Sequence, residues 1–378
     1  MRAAYAQFCW LRGQFDSGFG VARVHVLSPG FETPNGGAFL FPLVVWHRAL
    51  AEGGIDLKIH ATISDSLTDC DVLVIDSKFH RDRWKFGVEP VVKEFVELKR
   101  RSSKLVYFDT TDSTGCLQAE LLPVVDLYCK NQILHDRAEY MRPHYGQRIY
   151  ADYYYRTDGI EDTAPLYSNA VADRTHLSKL RVGWNSGLAN YSTFGPYWTS
   201  LYRRLPLRPI LRFSQAFVAP GKDRPIALQS RFGLGQGRES VTHQRRRIAE
   251  RLAGRVPTEK LRRLTYFEEL TRSWAVLSPF GLGEITLKDF EVFLTGGLLV
   301  KPSIDHVETW PDLFQDGETM ISFQWDLSDL AEVLDRIEAD RSRYLPLAIE
   351  GQRRYRDSTV GTGAAERFCT HVKQVWLH

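Results

Sequence analysis

From Val21 onward the chain alternates short β-branched runs with longer helical patterns, which restricts it to parallel sheets covered by helices on both faces. The first half places strands at 22–27, 56–59, 71–75, 105–108 and 125–128, with helices at 39–52 and 91–100. A second βα series is expected to open with a strand at 180–184 and to continue with strands at 225–229, 275–277 and 298–300. Its helices are expected at 240–252, 267–272, 284–294 and 327–339. The stretch 145–168, rich in Tyr and Asp without a clean period, reads as an irregular connection. The tail, helical over 344–376 with a break at 357–363, is expected to cross back onto the first half. These elements divide the chain into Rossmann-like domains at 1–175 and 176–343 and a helical tail at 344–378. At 378 residues with 43% apolar side chains, two such domains can bury roughly 75% of the surface of the unfolded chain.

Charge excludes some partners. Lys and Arg number 49 against 46 Asp and Glu, so the totals point to no nucleic acid, and the expected partners are small molecules or glycans. Cys9, Cys70, Cys116, Cys129 and Cys369 show no CxxC pair and no His at ligand spacing, which suits a reducing cytoplasm and points away from a zinc site or disulfide framework. The longest apolar run, 38–46, is far short of the ~20 residues of a membrane span, and the first twenty residues lack the apolar centre of a signal peptide. Peripheral contact with the inner face of a membrane stays open. Asp69-Cys70-Asp71 spells an Asp-x-Asp metal pattern, but so short an acidic pattern is common by chance, and no metal or cofactor is expected.

The most informative run is Ser278-Pro-Phe-Gly-Leu-Gly-Glu-Ile-Thr-Leu-Lys-Asp-Phe-Glu-Val-Phe-Leu-Thr-Gly-Gly-Leu-Leu-Val-Lys-Pro302, in which an apolar strand enters a glycine turn and then a helix expected from about Glu284. Free N–H groups at a helix start favour a diphosphate, and Gly281 and Gly283 would let it reach the backbone around Leu282. Glu284 and Glu291, seven residues apart, would share a helix face, one meeting a sugar and the other ribose hydroxyls. An ordinary strand-to-helix turn with solvated glutamates explains the same residues equally well.

This run resembles the donor-binding motif of the group 1 glycosyltransferases. A Pro-Phe-Gly turn precedes a helix whose end reads Phe290-Glu291-Val292-Phe293-Leu294-Thr295-Gly296. It is closer still to glycosyltransferase-like domains of the spore-maturation type, over 265–330. The resemblance implies an α/β GT-B fold, two Rossmann-like domains facing a crevice, that binds a nucleotide-sugar and a glycan, lipid-linked or small-molecule acceptor. Its commonest setting is bacterial surface polysaccharide synthesis. By the resemblance Glu291 meets the ribose, Gly281 and Gly283 the diphosphate, and Thr265 and Tyr266 lie near the base. The family's first glutamate, directly before Pro-Phe-Gly, is Ser278 here, so neither a retaining nor an inverting outcome is implied.

Four further places are candidates. Arg231 or Arg238, in Arg231-Phe-Gly-Leu-Gly-Gln-Gly-Arg238 after the strand at 225–229, could neutralise the leaving diphosphate. The consecutive Arg245, Arg246 and Arg247 read rather as the solvated face of the next helix. Asp109 and Asp112, after the strand at 105–108, would sit at the crevice rim, where one could act as general base; they fit equally as cap and solvated residues. On the acceptor side, Gly36 and Gly37 follow the first strand, and Lys130 follows the fifth. His25 and His144 read as structural histidines.

Overall fold

The computed structural model describes residues 20–164, 166, 170–235 and 237–378, so Cys9 and the first nineteen positions lie outside the described residues. In chain order the first half supplies β1 (Ala22–Leu27), α1 (Pro34–Val45), α2 (His47–Glu52), β2 (Ile55–His60), β3 (Val72–Asp76), α3 (Val88–Arg101) and β4 (Lys104–Asp109). It continues with β5 (Leu127–Lys130), β6 (Gln132–Leu134), α4 (Ile149–Asp158) and β7 (Leu180–Val182). After α5 (Gly195–Arg204) come β8 (Ile226–Gln229), α6 (Glu239–Arg251), α7 (Arg263–Thr271), β9 (Ser273–Leu277), α8 (Leu287–Thr295) and β10 (Leu298–Pro302). The chain then closes with β11 (Val307–Thr309), β12 (Met320–Phe323), α9 (Leu330–Ala339), α10 (Arg341–Thr359) and α11 (Ala364–Val372).

Two parallel sheets result, one ordered β2-β1-β3-β4-β5-β7 and the other β12-β10-β9-β8. Alternation along the strands explains the layering of the first sheet. Val24, Val72, Val106 and Phe108 face the cluster that holds Phe39 and Trp184. Leu73, Ile75, Leu105 and Tyr107 face the opposite cluster with Val91 and Phe95 of α3. An antiparallel pair of β6 with β11 joins the halves, with Val307 opposite Leu134. Two parallel sheets are what the expected GT-B plan calls for, and the tail crosses back onto the first half as expected: Phe368, Val372 and Trp376 complete the apolar cluster beside β1. A Cβ on Gly53, just after α2, would lie 2.2 Å from the Cys369 sulfur, so glycine is what lets the tail dock.

Several expectations change. The strand at Leu180–Val182 does not open the second sheet; it pairs in parallel with β5 and ends the first. The stretch 145–168 is not only connection, because α4 buries Tyr150 and Tyr154 in the core of the second half, against Phe280 and Phe290. The Tyr hydroxyls that blurred its pattern are satisfied by backbone carbonyls, Tyr150 by Gly281 and Tyr154 by Trp325. β5 starts two residues late, since the Val125 N–H still bonds the Leu121 carbonyl in a turn. The helix expected from Glu284 begins at Leu287, where the Asp289 carboxylate accepts the Thr286 N–H at 2.8 Å and fixes the start.

Candidate functional site: the crevice between the sheets

On the first-half side, the ends of β3, β4 and β5 bring polar groups together. Asp109 is fully buried instead of standing at the rim. Its Oδ2 accepts from Lys130 Nζ (2.9 Å) and Tyr128 OH (2.8 Å), and its Oδ1 from the Thr111 N–H (2.8 Å). Burial pushes its carboxyl up, but the Lys130 charge and these donors outweigh it and hold the group below the usual range. Lys130 is buried too, its Nζ also bonded to Thr111 Oγ1, so it faces the protein and not an acceptor. Asp112 is exposed, with Oδ1 accepting from Asn35 Nδ2 at 2.8 Å. Gly36 and Gly37 form no open turn: both are buried in the first turn of α1, where Thr33 Oγ1 accepts the Gly36 N–H. Beside them Lys78 has its amine pushed down by burial against the opposing pull of Asp109, Asp112 and Asp76.

From the second half, the loop between β9 and α8 meets these strand ends. Gly283 is approached by backbone, as its residue type suggested, but by the chain's own: a Cβ there would lie 2.1 Å from the Asp112 carbonyl oxygen. The turn closes on itself through Gly281 N–H to Gly283 O (3.0 Å). The Leu282 side chain is exposed while its carbonyl accepts from Arg148 Nε (2.6 Å). Glu284 is fully buried, and its Oε2 accepts from the Thr114 N–H (3.0 Å) and Thr114 Oγ1 (2.8 Å) across the crevice. Its Oε1 has no hydrogen bond and lies 3.6 Å from His306 Nε2. Burial opposes the charge, but His306 and the Thr114 donors prevail and hold the carboxyl at about 2. Ser278, in the place of the family's first glutamate, donates from Oγ to Asp289 Oδ1 (2.5 Å), and Lys301 Nζ reaches Asp289 Oδ2 (3.1 Å).

Glu284 and Glu291 do not share a helix face, because only Glu291 lies on α8. Glu291 is buried; Tyr266 OH donates to its Oε2 at 2.9 Å and Arg263 Nη1 to its Oε1 at 3.2 Å, and burial raises its carboxyl. Thr265 is exposed on the adjoining α7. Arg231 is held by a two-pronged bond to Glu269 (2.8 and 2.7 Å), which raises its own pKa. Arg238 precedes α6 and lines a cavity of about 680 Å³ with Asp162, Leu234 and Thr242; its Nη1 is buried with no hydrogen-bond partner among the described residues. Arg245 is not solvated: it is buried, bonding the Phe280 and Gly233 carbonyls. Asp71 lies at the start of β3, on the sheet edge opposite the crevice, where it bonds the Arg23 N–H.

Sequence reasoning passed over Lys288, Thr114, Arg148, Arg263 and His306. Lys288 Nζ donates to the Arg231 and Leu277 carbonyls (both 3.0 Å), and burial pulls its amine down to about 7. The signal for it was the one cation on a helix that also carries the carboxylates Asp289 and Glu291. The other four carried none, because their roles depend on partners far along the chain.

No family model and no curated protein matches the chain. Among solved structures it is similar to Anabaena HepE in complex with UDP-glucose, at 10% identity and a TM-score of 0.43, covering 93% of this chain and 100% of that one. A glycosyltransferase from Rickettsia africae matches at 9% identity and a TM-score of 0.45, covering 94% and 98%. S. aureus MnaA with UDP matches at 10% identity and a TM-score of 0.38, covering 93% and 96%. The arrangement is read from the two parallel sheets themselves and from the loops that meet between them.

Proposed function

We propose that the protein moves a sugar from a nucleotide-sugar to a hydroxyl of a glycan, lipid-linked or small-molecule acceptor, without a divalent metal. One observation carries the reading: the strand-end loops of two parallel sheets meet at Gly283 and Asp112, with ionisable groups gathered around the junction. The roles differ from those the spacing suggested. Asp109 is committed to Lys130 and cannot take an acceptor proton, so the exposed Asp112 carboxylate is the first-half group fit to act as general base. Glu284 holds the two loops in register through Thr114. Arg238, whose Nη1 has no partner among the described residues, supplies positive charge for the leaving diphosphate. The Glu291 oxygens keep lone pairs free to accept ribose hydroxyls.

A second reading, a GT-B shell that binds a nucleotide or glycan without turnover, gains from the internal commitments of Asp109 and Glu284. The deciding experiment is a thermal-shift screen with nucleoside diphosphates and their sugar conjugates, with and without divalent ion, followed by product analysis and repeated on Glu291→Ala. A metal-independent rise with one nucleoside diphosphate, lost in the variant, supports the donor site, and sugar transfer to an acceptor separates the enzyme from the shell. Donor consumed without any acceptor would mark an epimerase. No rise with any nucleotide would overturn the donor site.

A further inference from the structure

The chain crosses from the first sheet to the second through residues 183–225, and this crossing leaves an unusual surface. α5 is anchored on one side, where the Tyr202 ring meets Phe31 edge-on at 5.2 Å. A Cβ on Gly195 would lie 2.0 Å from the Asn190 carbonyl oxygen, which seats the start of the helix tightly on the preceding loop. Among the described residues nothing covers the other side. Phe194 is 58% exposed, Tyr197 60%, Trp198 36%, Leu205 54% and Leu207 61%. Five large apolar side chains exposed within fourteen residues form a patch where scattered single ones would need no explanation. The Tyr197 and Trp198 rings also contact each other edge to face, at 5.3 Å.

Charge says what such a patch fits. Between Arg174 and Lys222 the sequence holds eight Lys and Arg and no Asp or Glu, although the totals for the chain nearly balance. Arg204 and Arg212 are exposed on the same crossing. Trp and Tyr rings favour the headgroup depth of a bilayer, where an apolar ring and a polar N–H or O–H are both accommodated, and arginines beside them meet lipid phosphates. A second copy of the chain fits poorly, because a two-fold contact through α5 would set Arg203, Arg204 and Arg212 of one copy beside those of the other.

We propose that α5 and the segment to Arg212 dock the protein on an anionic lipid bilayer. The inference does not depend on sugar transfer. It bears on the crevice through Arg263, which bonds the Tyr191, Ser192 and Thr193 carbonyls just before α5 and, with its Nη1, the Glu291 carboxylate. A docked α5 therefore holds the Arg263–Glu291 pair near the membrane surface.

The test is co-sedimentation of the full chain with vesicles of phosphatidylcholine alone and with about 30% phosphatidylglycerol, at about 0.1 M salt. Binding is expected to the anionic vesicles and to weaken as salt is raised. It is expected to fall about tenfold or more in Arg204→Glu/Arg212→Glu, and likewise in Tyr197→Ser/Trp198→Ser. All four side chains are exposed, so both variants should melt as the parent does, and a melting check keeps a folding defect from passing as lost docking. Failure to sediment with anionic vesicles, equal binding to neutral ones, or parent-like binding by both variants would overturn the proposal. So would a dimer of the parent that Tyr197→Ser/Trp198→Ser dissolves, which would assign the surface to a second copy.

Discussion

Glu284→Gln tests whether the two sheets are held together by a buried charge. The folded carboxyl lies at about 2 against an ordinary 4.5. A depressed pKa contributes stability that is fully present above the unfolded value and is lost as pH falls through the folded one. A shift of that size corresponds to roughly 3 kcal/mol at neutral pH, and full burial leaves no solvent screening to discount. By linkage about 1 kcal/mol of it is gone at pH 4 and about 2 kcal/mol at pH 3. The glutamine keeps the shape and one acceptor for Thr114 but not the charge. Urea unfolding of parent and variant at pH 7, 4 and 3 is the assay, and other carboxylates cancel in the difference. The parent should lead by roughly 3 kcal/mol at pH 7, with the lead shrinking steadily toward pH 3. A lead independent of pH would refute the argument, because it would mean that the carboxyl has the same affinity for protons in the folded and unfolded chain.

The junction itself is tested by Gly283→Ala, whose Cβ would sit 2.1 Å from the Asp112 carbonyl oxygen. Backbone must move on one side, so a loss of about 1–3 kcal/mol and a melting temperature several degrees lower are expected by calorimetry. Lys288→Met removes a buried amine whose pKa is pulled from 10.5 to about 7. The unfolded chain binds that proton more readily, so the parent gains stability as pH rises from 7 toward 9, by roughly 1 kcal/mol per unit. Denaturation at the two pH values should show this gain in the parent and not in the variant.

The fold was legible wherever burial imposes a period. β1 and the core of β4 stand out because their apolar residues fill both faces of a parallel sheet, and no neighbour is needed to read them. α4 was not legible for the opposite reason. Its buried face is built from Tyr150 and Tyr154, whose hydroxyls are satisfied by carbonyls more than a hundred residues away, so a core face presents itself as a polar one. The strand at Leu180–Val182 was found but assigned to the wrong sheet: three residues show that a strand exists, and only the partner, β5, shows where.

The same distinction separates the right residues from the wrong roles at the crevice. Glycine at 283 signalled a close approach of backbone, and backbone does approach, but the physics of a missing Cβ does not distinguish a phosphate from the protein's own Asp112. Glu284 was picked out by its distance from Glu291, whereas its position is decided by Thr114, 170 residues earlier. Asp109 and Lys130 were read as separate strand-end charges, yet β4 and β5 set them side by side in register, and a buried carboxylate next to a buried amine neutralises it. Breaking that pair by removing one partner leaves the other buried and uncompensated, a cost of about 3–5 kcal/mol. Both residues are therefore committed to structure, and the proposed sugar transfer must draw its general base from a side chain that stays exposed at the junction, Asp112 first among them.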